Sequence, residues 1–490
     1  MLSPRTKTFL IAAHVSLTGL LYGLDTGSIG VITQMTQFTT SIGPLTSTQT
    51  GIYVACILLS SSLSSLASGH VSDRISRKYG LLLGGLISLL GTVVSAAAPN
   101  FAALIVARLI TGVGVGQAIS VTTVYLVEVA PVGTRGVAAC FLQTYVVLGI
   151  MTGYFISFGA SRIAGSSWGW RVPFVVQGAV ALGLCVGMVF VPFSPRWLVQ
   201  VGRVEEARKV LYTVRPACDV EGELEEMQQS LDPEKRREEQ SGSLTEIFNA
   251  RYRSRTCLGI FLMAFQQLTG IDVVLYYAPI LFRQAGFTSQ RASFLSSGVT
   301  GIVMLVCTIP AQVWVDRWGR RKPLIFGGAA MASCFLVIGS LYARYGRTTS
   351  DEVMLVSDTA QWVVIVLIYV FVANFSWSWA VDSTDIGWHN MQVGKIYASE
   401  IIPTRLRAKV CAVELVANWV VNFIVTFTAP MFLQSSPSGP YYLYGFSTVV
   451  AVIVSVLMPE TKGHSLEHIE SLFEDKGGRR EDPTSPTGSA

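Results

Sequence analysis

Twelve apolar runs of roughly 20 residues recur along this chain, and they limit its possible folds more than any other feature. A helix needs about 20 mostly apolar residues to cross the hydrocarbon core of a bilayer. Of the 490 residues, 51% are hydrophobic and only 14% are charged, whereas a soluble chain carries roughly a quarter charged residues. The sequence therefore predicts an all-α polytopic membrane protein with twelve transmembrane helices.

One long polar stretch, residues 194–254, divides these runs into six and six. It is rich in Glu, Lys and Arg, with helical patterns such as VEEARKVLYTV, so it is interpreted as a cytosolic helical linker. The other predicted domains are six-helix bundles at 1–193 and 255–458 and a cytosolic tail at 459–490, disordered at its end. The predicted spans lie near residues 8–33, 51–69, 80–98, 101–127, 138–161, 171–191, 256–283, 292–315, 323–343, 360–380, 406–434 and 440–458.

Two motifs occur once in each half at matching positions. SDRISRKYG (72–80) follows span two and VDRWGRRKP (315–323) follows span eight, while YLVEVAPVGTRG (125–136) follows span four and YASEIIPTRLRAK (397–409) follows span ten. This repetition indicates two pseudo-symmetric bundles with a site between them near the membrane midplane. The basic motifs fall on one side if the spans alternate, so both termini are predicted to be cytoplasmic.

Each of the four motifs also holds an acid beside its bases: Asp73, Glu128, Asp316 and Glu400. Ion pairs between these acids and arginines at neighbouring helix ends would hold the cytoplasmic face shut and would break when the protein opens inward. The alternative is that the basic residues only set the orientation of the spans.

Several functional classes find no support in the sequence. The net charge of +5 comes without a basic run interleaved with aromatic residues, so no nucleic-acid partner is expected. The eight cysteines are scattered, mostly within apolar runs, which is typical of small core residues rather than a disulfide or zinc framework. No nucleophile–base spacing, metal-ligand set or phosphate loop stands out. An enzyme, a metal site and a bound cofactor are therefore not expected.

Over essentially its whole length the chain resembles the sugar porter family of the major facilitator superfamily. The motifs are RLITGVGVGQ (108–117), PFSPRWL (192–198), FQQLTGIDVVLYYAP (265–279) and PETKG (459–463). The resemblance implies import of a sugar, or of a related polyol or acid, by alternating access, and it makes the plasma membrane and a monomer the default expectations. The family usually has Glu at the position of Phe193, so one acid of its cytoplasmic charge network is missing here. The predicted network comprises Asp73, Arg74, Arg77, Glu128, Arg135, Arg196, Asp316, Arg317, Arg320, Arg321, Glu400, Arg407 and Glu460.

Asp25 lies in LLYGLDTGSIGV inside span one, where an isolated carboxylate is energetically costly. By resemblance it pairs with Arg108, as acids and arginines pair in the symporters of the family, whereas facilitators typically have a neutral residue at this position. Protonation of Asp25 would release Arg108, so the proton is the predicted coupling ion. A static ion pair and facilitated uniport are the alternatives.

The resemblance also implies which residues bind the sugar. Amides suit sugars because each can donate to and accept from neighbouring hydroxyls, and aromatic faces can cover the apolar side of the ring. The alternative is that the amides only join neighbouring helices. The predicted substrate-binding residues are Gln143, Gln266, Gln267, Asp272, Tyr276, Tyr277, Lys395, Asn418, Trp419 and Asn422.

Two of these residues depart from the family pattern. Asp272 replaces the usual Asn, and Lys395 stands at the position of the usual Trp. Either the two pair and leave a neutral site for a hexose or pentose, or Lys395 binds the carboxylate of a sugar acid or quinate. A transporter-like nutrient sensor is a further alternative, but such sensors usually have a long cytosolic tail.

Val381 to Gln392 is about eleven residues longer than the equivalent segment of similar proteins. As a helix it would add about 16 Å at 1.5 Å per residue, which does not fit between an ordinary span and the motif at 397–409. The hypotheses are a polar loop that lines the cavity, a cytoplasmic extension of span ten, or an intron remnant that was read as coding sequence.

Overall fold

The computed structural model describes residues 3–131, 135–215, 220–230, 246–249, 252–287, 289–318, 321–349, 352–380 and 404–458. The helices are α1 (Pro4–Val15), α2 (Leu17–Thr33), α3 (Thr36–Ile42), α4 (Ser47–Ile75), α5 (Arg77–Ala97), α6 (Phe101–Val129), α7 (Arg135–Ala160), α8 (Trp168–Gly187), α9 (Pro195–Gln200), α10 (Val204–Val214), α11 (Val220–Ser230), a 3₁₀ turn (Glu246–Phe248), α12 (Arg253–Leu268), α13 (Ile271–Tyr276), α14 (Ala278–Gln284), α15 (Gln290–Trp318), α16 (Arg321–Tyr345), α17 (Asp358–Ser378), α18 (Thr404–Ser435) and α19 (Gly439–Leu457). The strands are β1 (Gly346–Thr349) and β2 (Glu352–Leu355).

Twelve helical segments of the described chain are long and apolar enough to cross a membrane, which confirms the predicted architecture. Span one consists of α1 and α2, and span seven is broken into α12, α13 and α14. The other ten spans are single helices. The antiparallel hairpin β1–β2, between spans nine and ten, is a feature that the all-α prediction lacked.

Local sequence signals set where several spans begin. Thr46 and Gln49 form a reciprocal cap on α4, with the Thr46 amide donating to the Gln49 side chain at 2.9 Å and the Gln49 amide donating to the Thr46 hydroxyl at 3.2 Å. Asn100 caps α6 by accepting from the amide of Ala103 at 2.9 Å. Each cap satisfies backbone donors that the first helical turn leaves free.

The contact pattern of the first half recurs in the second. Span one lies against span five, span two against span four, and span three against spans four and six. Correspondingly, span seven lies against span eleven, span eight against span ten, and span nine against spans ten and twelve. The duplication indicated by the motifs is thus present in the helix arrangement. The exact domain boundaries at 193, 254 and 458 stay predictions.

The two halves meet through a pair of equivalent contacts, span two with span eleven and span eight with span five. We call the end of the bundle that carries α9, α10 and α11 the linker end, and the opposite end, which carries β1–β2, the hairpin end. At the hairpin end Gly51 lies so close to Phe427 that a Cβ atom would clash with its carbonyl oxygen, and Gly30 lies equally close to the carbonyl of Tyr276. The halves are therefore closed against each other at the hairpin end.

Candidate functional site

Asp25 and Arg108 form an ion pair inside the first bundle, with side chains only 2% and 1% exposed. Asp25 comes from α2 and Arg108 from α6. The guanidinium also donates to the carbonyl oxygens of Tyr53 and Val54, both at 3.2 Å, and lies 5.5 Å from the centre of the Tyr53 ring. Arg108 is thus held by several partners besides the acid.

The two carboxylate oxygens of Asp25 differ in their surroundings. Oδ1 accepts from Arg108, whereas Oδ2 is buried and has no hydrogen-bond partner among the described residues. Burying an ion pair is costly, and leaving a buried oxygen unbonded adds to that cost. A proton on Oδ2 would neutralise the acid, so the geometry suits a site that is protonated during function.

Span seven is interrupted beside this pair. α12 ends at Leu268, and Gly270 adopts the left-handed conformation with φ of +81°, which favours glycine. The short helix α13 follows and carries Asp272 and Tyr276. The break places Gln266 and Gln267 on α12 and Asp272 on α13. In a continuous helix these three residues would lie on one segment.

The predicted amides fall into two groups, and the first group joins helices. Gln266 donates to the carbonyl of Trp379 at 3.1 Å and accepts from Asn418 at 3.3 Å. Asn418 also donates to the carbonyl of Met263 at 3.0 Å. These bonds tie spans seven, ten and eleven together, so for Gln266 and Asn418 the helix-joining interpretation describes the observed contacts.

The second group is left with unused hydrogen-bonding atoms. Gln267 Oε1, Tyr276 Oη and the indole nitrogen of Trp419 are buried without a hydrogen-bond partner in the described structure. Buried polar atoms in proteins are usually paired. An acceptor, a donor and a hydroxyl left open on spans seven and eleven suit a polyhydroxylated ligand.

Asn422 and Tyr277 continue this region toward the hairpin end. Asn422 accepts from the hydroxyl of Thr426 at 2.9 Å and lies beside Asp272. Tyr277 donates to the carbonyl of Thr426 at 2.9 Å. The partly exposed Gln143 lies on α7, next to Thr144, whose hydroxyl donates to Gln312 of the second half at 3.1 Å. Lys395 and the segment 381–392 lie outside the described residues.

Two side chains of this region were missing from the prediction. Tyr22, one helical turn before Asp25, is partly exposed and lies beside Tyr276. Glu414 is buried one turn before Asn418 on span eleven. An acid at Glu414 inside a hydrophobic span is a sequence signal that could have been used, whereas nothing in the sequence distinguishes Tyr22 from other tyrosines in apolar spans.

The described part of the charge network lies at the linker end of the first half. Arg77 bonds Asp73 at 2.7 Å and Glu128 at 3.2 Å. Ser194 donates to Glu128, and the indole of Trp197 donates to the carbonyl of Asp73 at 3.0 Å. Spans two, three and four are thereby tied to the start of the linker helices.

The other predicted members of the network have different surroundings. Arg74 is exposed and forms no ion pair with a described residue, because the bend at Ser76 makes Arg77 the arginine that reaches the acids. Arg196 is half-buried on α9, and Arg321 donates to the carbonyls of Ser455 and Val456. The remaining members fall outside the described residues or have undescribed side chains: Arg135, Asp316, Arg317, Arg320, Glu400, Arg407 and Glu460.

The position where the family usually has an acid is filled differently. Phe193 stacks on Trp197 with ring centres 5.8 Å apart, while the Lys78 ammonium and the Arg203 guanidinium lie 5.2 and 5.6 Å from its centre. Cation–π contacts thus replace ion pairs at this position.

Arg215 is a further contact that the sequence did not indicate. It is buried, bonds Glu223 at 2.7 and 3.0 Å, and donates to the carbonyls of Val129 and Ala130 at 2.6 and 3.1 Å. Arg215 therefore fastens the linker helices to the end of span four.

The chain is similar to known proteins over nearly its whole length. The family model described as "Sugar (and other) transporter" matches residues 11–473. The arabinose–proton symporter of Bacillus subtilis is 31% identical over 472 residues, covering 95% of this chain and 94% of that protein. The galactose–proton symporter of Escherichia coli K12 is 30% identical over 471 residues, covering 96% and 95%.

A solved structure supports the same assignment. The major facilitator superfamily proton:xylose symporter bound to 6-bromo-6-deoxy-D-glucose superposes with a TM-score of 0.75 at 26% identity. The match covers 96% of this chain and 100% of that one.

Proposed function

The chain belongs to the sugar transporter family of the major facilitator superfamily. We propose that it imports a monosaccharide together with protons by alternating access. It is a multi-pass membrane transporter and not an enzyme. The named relatives are proton symporters of arabinose, galactose and xylose, so a neutral pentose or hexose is the proposed substrate class.

The observation that carries this proposal is the buried Asp25–Arg108 pair, with one unpaired carboxylate oxygen, in a bundle of membrane-spanning helices. If the ion pair were only structural, a hydrogen-bond partner on Oδ2 would stabilise it further. A facilitator, which couples no proton, does not need a buried acid. Proton binding to Oδ2 removes the negative charge and weakens the hold of Asp25 on Arg108. The cost of rearranging span one against span four then falls.

The proposed substrate site lies between spans seven and eleven. Gln267, Tyr276 and Trp419 provide the unused acceptor, hydroxyl and donor, and Asn422 and Asp272 provide further polar atoms. Gln266 and Asn418 hold this wall in place through their mutual bond. We assign Gln143 to the facing wall of the first half on the basis of the resemblance.

The two ends of the bundle have different roles in this cycle. The halves are closed at the hairpin end, where a cavity of about 260 Å³ remains between them, lined in part by Gln34, Thr50, Arg283, Gln284 and Gln434. We assign the hairpin end to the outside and the linker end to the cytoplasm, because basic motifs mark the cytoplasmic side. The plasma membrane and a monomer complete the proposal.

The sugar-acid alternative depends on Lys395, which lies outside the described residues. A competition panel with glucose, xylose, galacturonate and quinate separates the two substrate classes. If Lys395 binds a carboxylate, Lys395→Trp selectively reduces transport of the acids.

A radiolabelled uptake panel in a host that lacks its own sugar transporters tests the proposed function. We expect the wild-type chain to accumulate at least one pentose or hexose above the external concentration and to lose that accumulation when a protonophore is added. Accumulation that persists without a proton gradient would contradict proton coupling. A failure to transport any member of the panel would contradict the proposed function itself.

A further inference from the structure

A second carboxylate of the membrane-spanning region, Asp272, has been given only a place in the proposed substrate site and no part in proton coupling. Asp272 is the second residue of α13, directly after the break in span seven, and its side chain is only partly exposed. Its described neighbour on span eleven is the amide of Asn422, which carries no charge. A carboxylate at membrane depth is costly to maintain and is usually functional.

Two tyrosines, Tyr22 and Tyr276, lie within electrostatic range of both Asp272 and Asp25. The Tyr22 hydroxyl on α2 lies close to Tyr276 and Thr26, and both carboxylates act on it electrostatically. Tyr276, on α13, is likewise within electrostatic range of both acids. Because a tyrosine hydroxyl is both donor and acceptor, these side chains can adapt to either protonation state of the acids.

The arrangement exists only while spans one and seven are in contact. Gly30 of α2 lies directly against the carbonyl of Tyr276, so α2 and α13 are as close as their backbones allow. Closing the hairpin end therefore brings α13, which carries Asp272, against α2, which carries Asp25. Asp25 is paired with Arg108, whereas Asp272 has no described cation beside it, so its ionised form is costly to bury as the two spans close, and a proton removes that cost.

We propose that Asp272 is a second proton-binding group of the transport cycle, and that its protonation favours closure of span seven against span one. This inference rests on the proposed function. Proton binding forms one O–H bond on the Asp272 carboxylate and removes its charge, and no other bond changes. Asp25 then carries one proton and Asp272 another, so uptake depends on two ionisations.

The described titratable or charged groups nearest Asp272 are Tyr22 on α2, Tyr276 on its own helix and, farther away, the Asp25–Arg108 ion pair of α2 and α6. Span eleven contributes the neutral Asn422. Lys395, which lies outside the described residues, is predicted either to pair with Asp272 or to bind a carboxylate of the substrate. A permanent pair would keep Asp272 ionised, and the experiment below separates that outcome from this proposal.

The test is the initial rate of uptake by whole cells as a function of external pH, for the sugar that the wild-type chain accumulates. Each required proton lowers the rate about tenfold per pH unit above the pKa of its group. On the alkaline limb we expect a slope of log rate against pH of about −2 for the wild type and about −1 for Asp272→Asn. The amide keeps the size of the side chain and mimics its protonated form.

Two control variants make the result specific. Asp272→Glu keeps a titratable acid, so the slope should stay near that of the wild type. Asp358→Asn neutralises an exposed aspartate at the start of α17 and should leave the profile unchanged.

A wild-type slope of about −1 that Asp272→Asn does not alter would overturn the proposal, as would an Asp272→Asn variant that changes only the KM. If the wild-type chain transports no sugar, the proposed function fails first.

If Asp272→Asn does not reach the membrane, sugar binding to purified protein replaces uptake. The change in intrinsic fluorescence of the protein's ten tryptophans on adding sugar measures binding, and titration at several pH values gives the affinity. The proposal requires wild-type binding to weaken with rising pH more steeply than Asp272→Asn binding. Identical pH dependence in the two proteins would overturn it.

Discussion

At the scale of single residues, two adjacent glutamines have different hydrogen-bonding surroundings. The side chain of Gln266 is satisfied by Trp379 and Asn418, while Gln267 Oε1 has no partner in the described structure. The sequence motif predicts both as sugar ligands because neighbouring amides look alike in a sequence. Only the contacts with spans ten and eleven, which are distant in the chain, separate a helix-joining amide from one that is free to bind a ligand.

This difference predicts different effects for Gln267→Met and Gln266→Met. Loss of one sugar hydrogen bond costs about 1–2 kcal/mol, so Gln267→Met should raise the KM roughly tenfold while the thermal unfolding midpoint stays unchanged. Gln266→Met removes one of the two bonds of the Asn418 amide and the bond to the Trp379 carbonyl, so it should also lower the unfolding midpoint. Uptake kinetics and thermal unfolding of purified protein check both effects. Equal loss of stability in the two variants would contradict the division of roles.

At the scale of helices, the broken span seven carries residues of the proposed substrate site and also forms part of the contact that closes the hairpin end. Hydropathy predicts a continuous span at 256–283, because two residues, Thr269 and Gly270, do not lower the apolar average of a 28-residue run. The break is a local backbone event, visible in the sequence only as a Thr-Gly pair. The tight packing of α2 and α4 against the second half is equally hidden, because it depends on glycines that face distant carbonyls.

Span two offers a matched pair of glycines to test the closed hairpin end. Gly51→Ala places a methyl group against the carbonyl oxygen of Phe427, whereas Gly69→Ala on the same helix meets no atom within 4 Å. Forced overpacking costs about 1–3 kcal/mol, so Gly51→Ala should slow uptake about tenfold or more, with sugar binding retained. Gly69→Ala should transport normally. Normal uptake by Gly51→Ala would show that this closure is not part of the cycle.

The attachment of the linker helices gives a prediction about stability. Arg215→Ala removes a buried ion pair and two bonds to the end of span four, leaving Glu223 with little solvent exposure. The expected loss is about 3 kcal/mol, seen as a lower thermal unfolding midpoint. Arg203→Ala removes an exposed pair with Glu206 and a cation–π contact with Phe193, and it should cost about 1 kcal/mol. Similar midpoints for the two variants would show that Arg215 does not anchor the linker.

At the scale of the whole molecule, the sequence predicts more than it does at the smaller scales. Twelve spans follow from run lengths, and the duplication follows from motifs repeated after spans two and eight and after spans four and ten. The structure repeats the helix contacts accordingly. The hairpin β1–β2 and the anchoring contacts of Arg215 could not be predicted, because short polar loops carry no periodic signal and ion-pair partners are set by three-dimensional proximity.

In the proposed cycle two proton-binding groups lie in different halves of the protein. Asp25 is in span one and Asp272 in span seven, and both are within electrostatic range of Tyr22 and Tyr276. The network around Arg77 ties the linker end of the first half to the start of the linker helices. In the proposed cycle protonation favours closure at one end, and the linker end then opens to the cytoplasm.

The most direct test of the central claim is proton entry coupled to sugar entry. When sugar is added to de-energised cells in a weakly buffered medium, the wild-type chain should cause a transient alkalinisation of the medium. Asp25→Asn should abolish it by stopping net sugar entry, while exchange of labelled for unlabelled sugar continues, since exchange needs the site but no net proton movement. Sugar entry by the wild type without alkalinisation, or an unchanged signal in Asp25→Asn, would contradict the assignment of Asp25 as the coupling group.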